Sequence, residues 1–340
     1  MGYKKVVITK YGPPDVLQIV EEQYLPIPHR GEVRIKVLVT SAAFTDTLLR
    51  KGMYPEVRIK PPLIPGYDMV GTVDQCGEGV TSLKVGQRVA AMPVIGAYEE
   101  YMCLPQESLT LVPEGLDSAE VVSLILTYMT AYQMLFRLAK IHSGQSILVH
   151  GAGGAVGTAL LQLGSLLGLR VFGTARKSKH DLVRRLGGIP IDYQTQDFVD
   201  CIKRETGSGV DAVFDCIGGD YFRRSFHVLR PGGTLVAYGF QQAVMGKGGI
   251  ASVIFGFLQL KILNLLPNNR RAMFYSITSL RKKQPDWFKQ DLTQLMEYLK
   301  QKKIQPVIAR RMPLTEAVEA HKLLDRSDVE GKIVLVVHEE

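Results

Sequence analysis

The chain has 340 residues, enough for about two domains, and its 46% of hydrophobic residues can fill large packed cores. Its net charge of +8 comes from scattered basic residues, with no basic run interleaved with aromatics and no nucleic-acid motif, so nucleic acid is not an expected partner. Cys76, Cys103, Cys201 and Cys216 form neither a C-x-x-C pair nor a dense framework, and the starting MGYKKVVITK lacks a signal-peptide core; both point to the reducing cytoplasm.

Residues 1 to about 125 carry short β-type runs at Lys4–Thr9, Glu32–Thr40, Met69–Gln75, Arg88–Pro93, Tyr98–Cys103 and Leu109–Pro113. Gly12-Pro13-Pro14 and Pro61-Pro62 punctuate them, which predicts an antiparallel β-domain with few helices. From about 126 the pattern alternates. Strands are expected at Ile147–Val149, Leu169–Gly173, Pro190–Asp192, Ala212–Asp215 and Thr234–Tyr238, with helices at Lys179–Leu186, Gln196–Glu205 and Tyr221–Leu229. Such alternation predicts a doubly wound parallel sheet, closed by a last strand at Lys261–Leu266. The most apolar stretch, Ile250–Leu266, contains Gln259, Lys261 and Asn264. It reads as a helix plus a strand packed in a core or a subunit interface, not as a membrane span. Residues 267–340 return to helix and short strands, with an amphipathic helix over Pro313–Leu324 and a terminal strand at Lys332–Val337. The fold class is α/β, divided as 1–125, 126–266 and 267–340.

The segment Ile147–Lys179 is the most specific. An apolar strand runs into Gly151, Gly153, Gly154 and Gly157, then a leucine-rich helix, then a second strand ending in Thr174-Ala175-Arg176-Lys177. This is the layout of a dinucleotide-binding βαβ unit, although Gly151-x-x-Gly154-x-x-Gly157 is only a relative of the strict fingerprint. Glycine permits a sharp turn, and the helix N-terminus at Gly153, Gly154, Ala155 and Val156 attracts a pyrophosphate. A site for NAD usually has an acid at the end of the second strand to hold the ribose 2′-hydroxyl. No acid lies between Val149 and Lys179. Arg176 and Lys177 would instead pair with a 2′-phosphate, which favours NADPH. Cys216-Ile217 and Phe240-Gln241 follow the fourth and fifth strands, at the carboxyl ends where ligands of such sheets sit.

The motifs together resemble the zinc-free quinone oxidoreductase branch of the medium-chain dehydrogenase/reductase family. The resemblance spans essentially the whole chain. It includes Tyr11-Gly12-Pro13-Pro14-Asp15-Val16-Leu17, Thr45-Asp46, Arg50-Lys51-Gly52-Met53-Tyr54-Pro55 and Ile64-Pro65-Gly66-Tyr67-Asp68 with Gly71. Val85-Gly86-Gln87-Arg88-Val89, Gly96 to Tyr101, Thr127 to Ala131, Leu229-Arg230-Pro231-Gly232-Gly233 and Gly331-Lys332-Ile333-Val334 complete it. The resemblance implies a GroES-like β-domain built from both chain ends, a Rossmann domain inserted between, and an active site in the interdomain cleft. It also implies a homodimer or homotetramer.

Zinc-dependent relatives have a Cys-His pair just before Thr-Asp, and a Gly-His-Glu further on. The matching residues here are Ala43-Phe44-Thr45-Asp46 and Gly66-Tyr67-Asp68, so the sulfur and imidazole ligands of zinc are replaced. Without that Lewis acid, hydride addition to a quinone or an activated C=C bond is more accessible than alcohol oxidation. The branch commonly has Asn where Ala43 stands, which leaves the substrate class open.

The resemblance further implies roles for single residues. Tyr54, in Gly-x-Tyr-Pro, would hydrogen-bond a substrate carbonyl or donate a proton. Tyr67 would face the same cleft in place of a zinc ligand, and Asp46 would brace it. Thr130 would touch the nicotinamide end, Tyr193 the adenosine phosphate, and Lys332 the cofactor side of the C-terminal strand. His142, His227 and His321 show no partner in the sequence and read as surface or core residues. The expected activity is NADPH-dependent reduction of a small quinone or α,β-unsaturated carbonyl compound. Two alternatives stay open: an enoyl-thioester reductase, and a non-catalytic NADPH-binding scaffold or redox sensor.

Overall fold

The computed structural model describes residues 2–242 and 249–339. The chain divides into two compact units, unit 1 formed by Met1–Leu126 with Leu292–Glu340 and unit 2 by Thr127–Asp291.

Unit 1 begins with the antiparallel pair β1 (Tyr3–Ile8) and β2 (Leu17–Glu22). The long strand β3 (Glu32–Ala42) alternates inward Val33, Ile35 and Val37, as a half-buried strand should. These pack with Met69, Val73, Val89 and Met102 from β4 (Met69–Cys76), β5 (Arg88–Ala91) and β6 (Tyr101–Pro105). β7 (Thr110–Leu111) closes that side of the sheet. A short helix, α1 (Phe44–Arg50), follows β3 at a place where the sequence pattern was too brief to predict one. Next comes α2, a continuous helix over Ser118–Ala139. It is long and apolar enough to cross a bilayer, but 78% of its most apolar window is buried inside the protein, the condition of a core helix.

Unit 2 contains a six-stranded, all-parallel sheet in the order β10-β9-β8-β11-β12-β13. The strands are β8 (Ser146–His150), β9 (Arg170–Ala175), β10 (Gly188–Asp192), β11 (Val210–Asp215), β12 (Leu229–Ala237) and β13 (Arg271–Phe274). Crossovers are made by α3 (Ala155–Leu166), α4 (His180–Arg185), α5 (Phe198–Thr206), α6 (Asp220–His227) and α7 (Gly249–Leu263). This is the doubly wound order with its reversal beside β8.

One expected strand is corrected. Lys261–Leu266 is not the sixth strand, because helix α7 runs through Leu263. No Gly or Pro interrupts the chain between Phe257 and Leu266, so the apolar run continues as helix until Asn264. The Asn264 side chain then pairs with the backbone of Ala272 in both directions, at 2.6 and 2.7 Å, and sets β13 beside the helix end. The parallel sheet therefore continues past 266, and unit 2 ends at Asp291. α8 (Ile277–Lys283) and α9 (Pro285–Lys300) follow.

The chain then returns to unit 1. β14 (Ile308–Pro313) lies parallel to β15 (Lys332–Val336), with α10 (Ala317–Asp325) between them, and β15 pairs antiparallel with β3. Unit 1 is thus assembled from both chain ends. A buried cation locks the ends together. Arg50 is fully buried, and its guanidinium donates to the Gly12 carbonyl (2.6 Å), Asp325 (2.6 Å) and His321 Nδ1 (3.2 Å). A buried guanidinium with a missing partner is strongly destabilising, so these three acceptors act as one unit. His321 must present a bare Nδ1 to Arg50. Burial first, and then the charge of Arg50, push its imidazole down to about 3.

The sign of that shift gives a test. The unfolded imidazole takes up a proton near its ordinary value of about 6.5, whereas the folded one resists until about pH 3. His321 therefore contributes stability above pH 6.5 that is lost as pH falls towards 3, at a limiting slope of ~1.4 kcal/mol per pH unit. Asp46 and Glu99, buried with raised values, act in the opposite sense. The informative quantity is thus the difference between the wild type and His321→Gln. That difference in unfolding free energy should shrink as pH is lowered from 6.5 to 4.5. A constant gap would exclude a neutral buried His321.

Candidate active site

The glycine turn of unit 2 is built by close approach. Gly151 has φ +68°, a left-handed conformation that suits glycine. A Cβ on Gly157 would stand 2.3 Å from the Gly151 carbonyl oxygen and 2.6 Å from Ala152 Cα, so only glycine lets α3 pack against the turn. Gly154 caps α3, but its N–H is spent inside the turn on the Gly151 carbonyl (2.9 Å). Ala155 and Val156 open the helix, where N–H groups have no partner within the helix itself. The side chain of Lys179 lies over Gly153, at 2.6 Å from where a Cβ would be.

At the end of β9, Arg176 Nε donates to the Tyr193 hydroxyl at 3.0 Å. Two residues singled out from separate parts of the sequence are thereby joined. Lys177 is exposed beside them. Thr130 is buried in Met129–Tyr132, a short α-helical stretch of α2 between two segments wound more widely, Leu124–Tyr128 and Gln133–Ala139. Phe240 is stacked on Phe274 at 5.1 Å and packs against Phe222 and Phe257, so its ring belongs to an aromatic cluster of the core. The Gln241 N–H bonds the Cys216 carbonyl at 3.0 Å, which ties the segment after β12 to the one after β11.

A buried polar chain connects these strand ends, and three of its members escaped the sequence reading. Thr174, at the end of β9, lies 3.0 Å from His150 Nδ1, at the end of β8. His150 Nε2 lies 3.0 Å from Ser225 Oγ on α6. Ser225 donates to Asp215 Oδ2 at 2.7 Å, at the end of β11. Asp215 Oδ1 accepts the N–H groups of Ile217 (2.8 Å) and Gly218 (3.2 Å). Because a carboxylate accepts only, the whole chain has one direction. Ser225 gives its proton to Asp215 and so accepts from His150 Nε2–H. The bare Nδ1 then accepts from the Thr174 hydroxyl. Burial holds the His150 imidazole below its ordinary value, consistent with this neutral tautomer. The Cys216 thiol is pushed up to about 12 by desolvation and by Asp215, so it is a protonated spectator. The missing signal was periodicity: His150 and Asp215 end apolar strands, and nothing in the sequence shows that they converge on Ser225.

Unit 1 holds the other candidates. Tyr54 donates to the Glu56 carboxylate at 2.7 Å, so at the 2.8 Å contact between the two phenols it is Tyr67 that donates to Tyr54. Tyr67 is buried and Tyr54 half-buried. Burial first, with Tyr67 and Glu56 adding, holds the Tyr54 hydroxyl above its ordinary value. Asp46 accepts the N–H groups of Ala43 (2.9 Å) and Gly66 (3.1 Å), and so fastens α1 to the segment carrying Tyr67. Burial pushes its carboxyl up to about 7, against the pull of the Ala43 N–H and with the Asp68 charge adding. Asp68 is fully buried, accepts from Ser41, and has Lys332 Nζ 3.9 Å from its other oxygen. Lys332 is itself buried, so its charge is directed at Asp68. Thus Tyr54 and Tyr67 are brought together and Lys332 joins Asp68 in unit 1, whereas the remaining candidates gather in unit 2. Among the described residues, no group of three His, Cys, Asp or Glu side chains is placed to hold a metal ion.

Two family models match the chain, an alcohol dehydrogenase GroES-like domain over residues 29–114 and a zinc-binding dehydrogenase over 188–335. The chain is 33% identical to a 2-haloacrylate reductase of Burkholderia sp, over 97% of its own length and 98% of that protein. The chain belongs to the zinc-free, quinone oxidoreductase-like branch of the medium-chain dehydrogenase/reductase family. Another relative is a synaptic vesicle membrane protein VAT-1 homolog of Danio rerio, 31% identical over 98% of the chain and 70% of the relative. Among solved structures, an Escherichia coli quinone oxidoreductase complexed with NADPH superposes with a TM-score of 0.87 at 25% identity, covering 98% of this chain and 100% of that one.

The polar chain generates a prediction. Ser225→Ala deprives Asp215 of a donor and His150 of an acceptor, both fully buried, and should cost about 1–3 kcal/mol in chemical denaturation. In a cycle with His150→Phe the two losses should fall well short of additive. Full additivity would rule out the chain as drawn.

Proposed function

We propose that this protein is a zinc-independent NADPH reductase that delivers hydride to an α,β-unsaturated carbonyl compound or a quinone. The observation that carries the cofactor half is the Arg176–Tyr193 pair at the end of β9, in a βαβ segment without an acid to hold a 2′-hydroxyl. Arg176 and Lys177 would hold the 2′-phosphate, with Tyr193 steadying the guanidinium. The Ala155 and Val156 N–H groups would hold the pyrophosphate at the opening of α3. The residues present fit such a group, since Gly151, Gly154 and Gly157 put bare backbone at the helix N-terminus, with the Lys179 side chain alongside Gly153. NADPH, when bound, supplies the hydride from C4 of its nicotinamide. The NADPH complex of the Escherichia coli relative and the name of the Burkholderia reductase support this reading.

For the substrate half, Tyr54 is the residue of choice. Its raised value keeps the hydroxyl protonated across the physiological range, so it serves as a neutral hydrogen-bond donor to a carbonyl rather than as a titrating acid. Tyr67 donates to the Tyr54 oxygen and so orients the hydroxyl. Negative charge that develops on the carbonyl would compete with Glu56 for the Tyr54 proton.

Three measurements test the proposal. Purified protein should oxidise NADPH when offered 9,10-phenanthrenequinone or a short alkenal, and inactivity across a broad panel of both would overturn it. Arg176→Glu should raise KM for NADPH by at least about tenfold, the equivalent of ~1.4 kcal/mol, and leave KM for NADH nearly unchanged. Equal losses for both cofactors would remove the 2′-phosphate role. Tyr54→Phe should lower kcat by about ten- to a hundredfold without changing the cofactor KM; an unchanged kcat would dismiss Tyr54.

A further inference from the structure

The polar groups buried at the strand ends of unit 2 exceed what the sheet itself requires. His150, Ser225 and Asp215 are fully buried, and Thr174 nearly so. β8 already pairs with β9 on one side and with β11 on the other. Well-packed apolar side chains often hold such a site as firmly as a buried charge with its donors. The two ends of the polar chain show what else it holds.

One end lies at the glycine turn. The Thr174 hydroxyl is directed at His150 Nδ1 and the residue is 2% exposed, so the contact with cofactor expected of Thr174 becomes an indirect one. Its carbonyl oxygen accepts the Ala152 N–H at 3.0 Å inside the turn, and Arg176 follows two residues later. The other end lies after β11. Asp215 holds the N–H groups of Ile217 and Gly218. The Ile217 carbonyl accepts the Gln242 N–H at 2.9 Å, so the segment after β12 is tied in as well. The strand order reverses beside β8. Dinucleotides lie across such a reversal, one mononucleotide half on each side. The turn and the end of β9 belong to the adenosine half, and the ends of β11 and β12 to the nicotinamide half. His150, on β8, is where the chain crosses between them.

Because the chain has one direction, none of its bonds can break without leaving a buried donor or acceptor unpaired. The segments on its two sides are therefore ordered together or loosened together. A ligand that orders one side leaves less ordering to be done by a ligand of the other, which is positive cooperativity. With NADPH as the cofactor, held at Arg176 as proposed above, we infer that the Thr174–His150–Ser225–Asp215 chain couples the two halves of the cofactor site, so that binding at the adenosine half raises affinity at the nicotinamide half. His150 and Ser225 are positioning residues, since both are sealed from any ligand.

The test uses the full-length protein and two fragments of NADPH, adenosine 2′-monophosphate and reduced nicotinamide mononucleotide, titrated singly and together by isothermal calorimetry. In the wild type, saturating adenosine 2′-monophosphate should lower the Kd of the nicotinamide fragment at least about fivefold, and the reverse titration should give the same factor. Ser225→Ala should bring that factor to within about twofold of one, while the Kd of adenosine 2′-monophosphate alone changes less than about threefold. Ser225→Thr, which keeps the hydroxyl, should keep the coupling, a rescue that general loosening of the fold would not give. Should Ser225→Ala fail to fold, Thr174→Val at the opposite end carries the same expectation. A wild-type factor of one with both fragments bound overturns the inference, as does an undiminished factor in Ser225→Ala. A wild type that binds no adenosine 2′-monophosphate overturns the 2′-phosphate role of Arg176, and the coupling with it.

Discussion

A carboxylate sealed inside a parallel sheet has to be surrounded by donors, and in unit 2 that requirement organises the strand ends. Asp215 is fully buried and collects a hydroxyl and two backbone N–H groups. Meeting that need fixes the proton of Ser225, then the tautomer of His150, then the hydroxyl of Thr174. The ends of β8, β9 and β11 are thus held in mutual register by directed bonds in addition to the hydrophobic packing beneath them. A sheet held by Leu148, Phe172 and Val213 alone would place its strands but leave the segments after them free to choose among conformations. The segments that follow these strands are where open α/β sheets bind ligands, so the polar chain bears directly on the proposed cofactor site.

Unit 1 obeys the same logic with the charges reversed. Arg50 is a buried cation that needs acceptors, and it finds them in Gly12, His321 and Asp325, two of which come from the far end of the chain. Asp46 is a buried acid that finds backbone donors at Ala43 and Gly66. Of the positions that match zinc ligands in the metal-dependent branch, Ala43 and Phe44 are apolar here, whereas Tyr67 and Asp68 make polar contacts. Tyr67 feeds a phenol pair and Asp68 faces Lys332. A region that a metal would otherwise cross-link is held by interlocking polar contacts.

What could be read from the sequence follows from range. The parallel sheet, the glycine turn and the β-rich first third were legible, because each depends on local alternation or on glycine at a fixed spacing. The positions of the strand ends were legible for the same reason. The convergence of His150, Ser225 and Asp215 was not, since the bond from His150 to Ser225 spans 75 residues. Nor was the neutral, buried state of His321, whose partner Arg50 lies 271 residues away. The misplaced sixth strand had a different cause. Lys261–Leu266 is apolar enough for either structure, and only the Asn264 side chain, reaching Ala272, shows where the helix stops.

The return of β15 to β3 has a consequence for how the protein is made. Ala42 and its register partner Ile333 are separated by about 290 residues, so β3 leaves the ribosome roughly 15–60 s before the strand that completes its edge exists. The whole of Thr127–Asp291 is synthesised in that interval and carries its own core. On the ribosome the inserted unit can therefore close while the first-made one waits. During that wait the Val39–Ala42 edge of β3 that β15 will cover is unpaired, and Arg50 lacks His321 and Asp325, so chaperone capture should concentrate there.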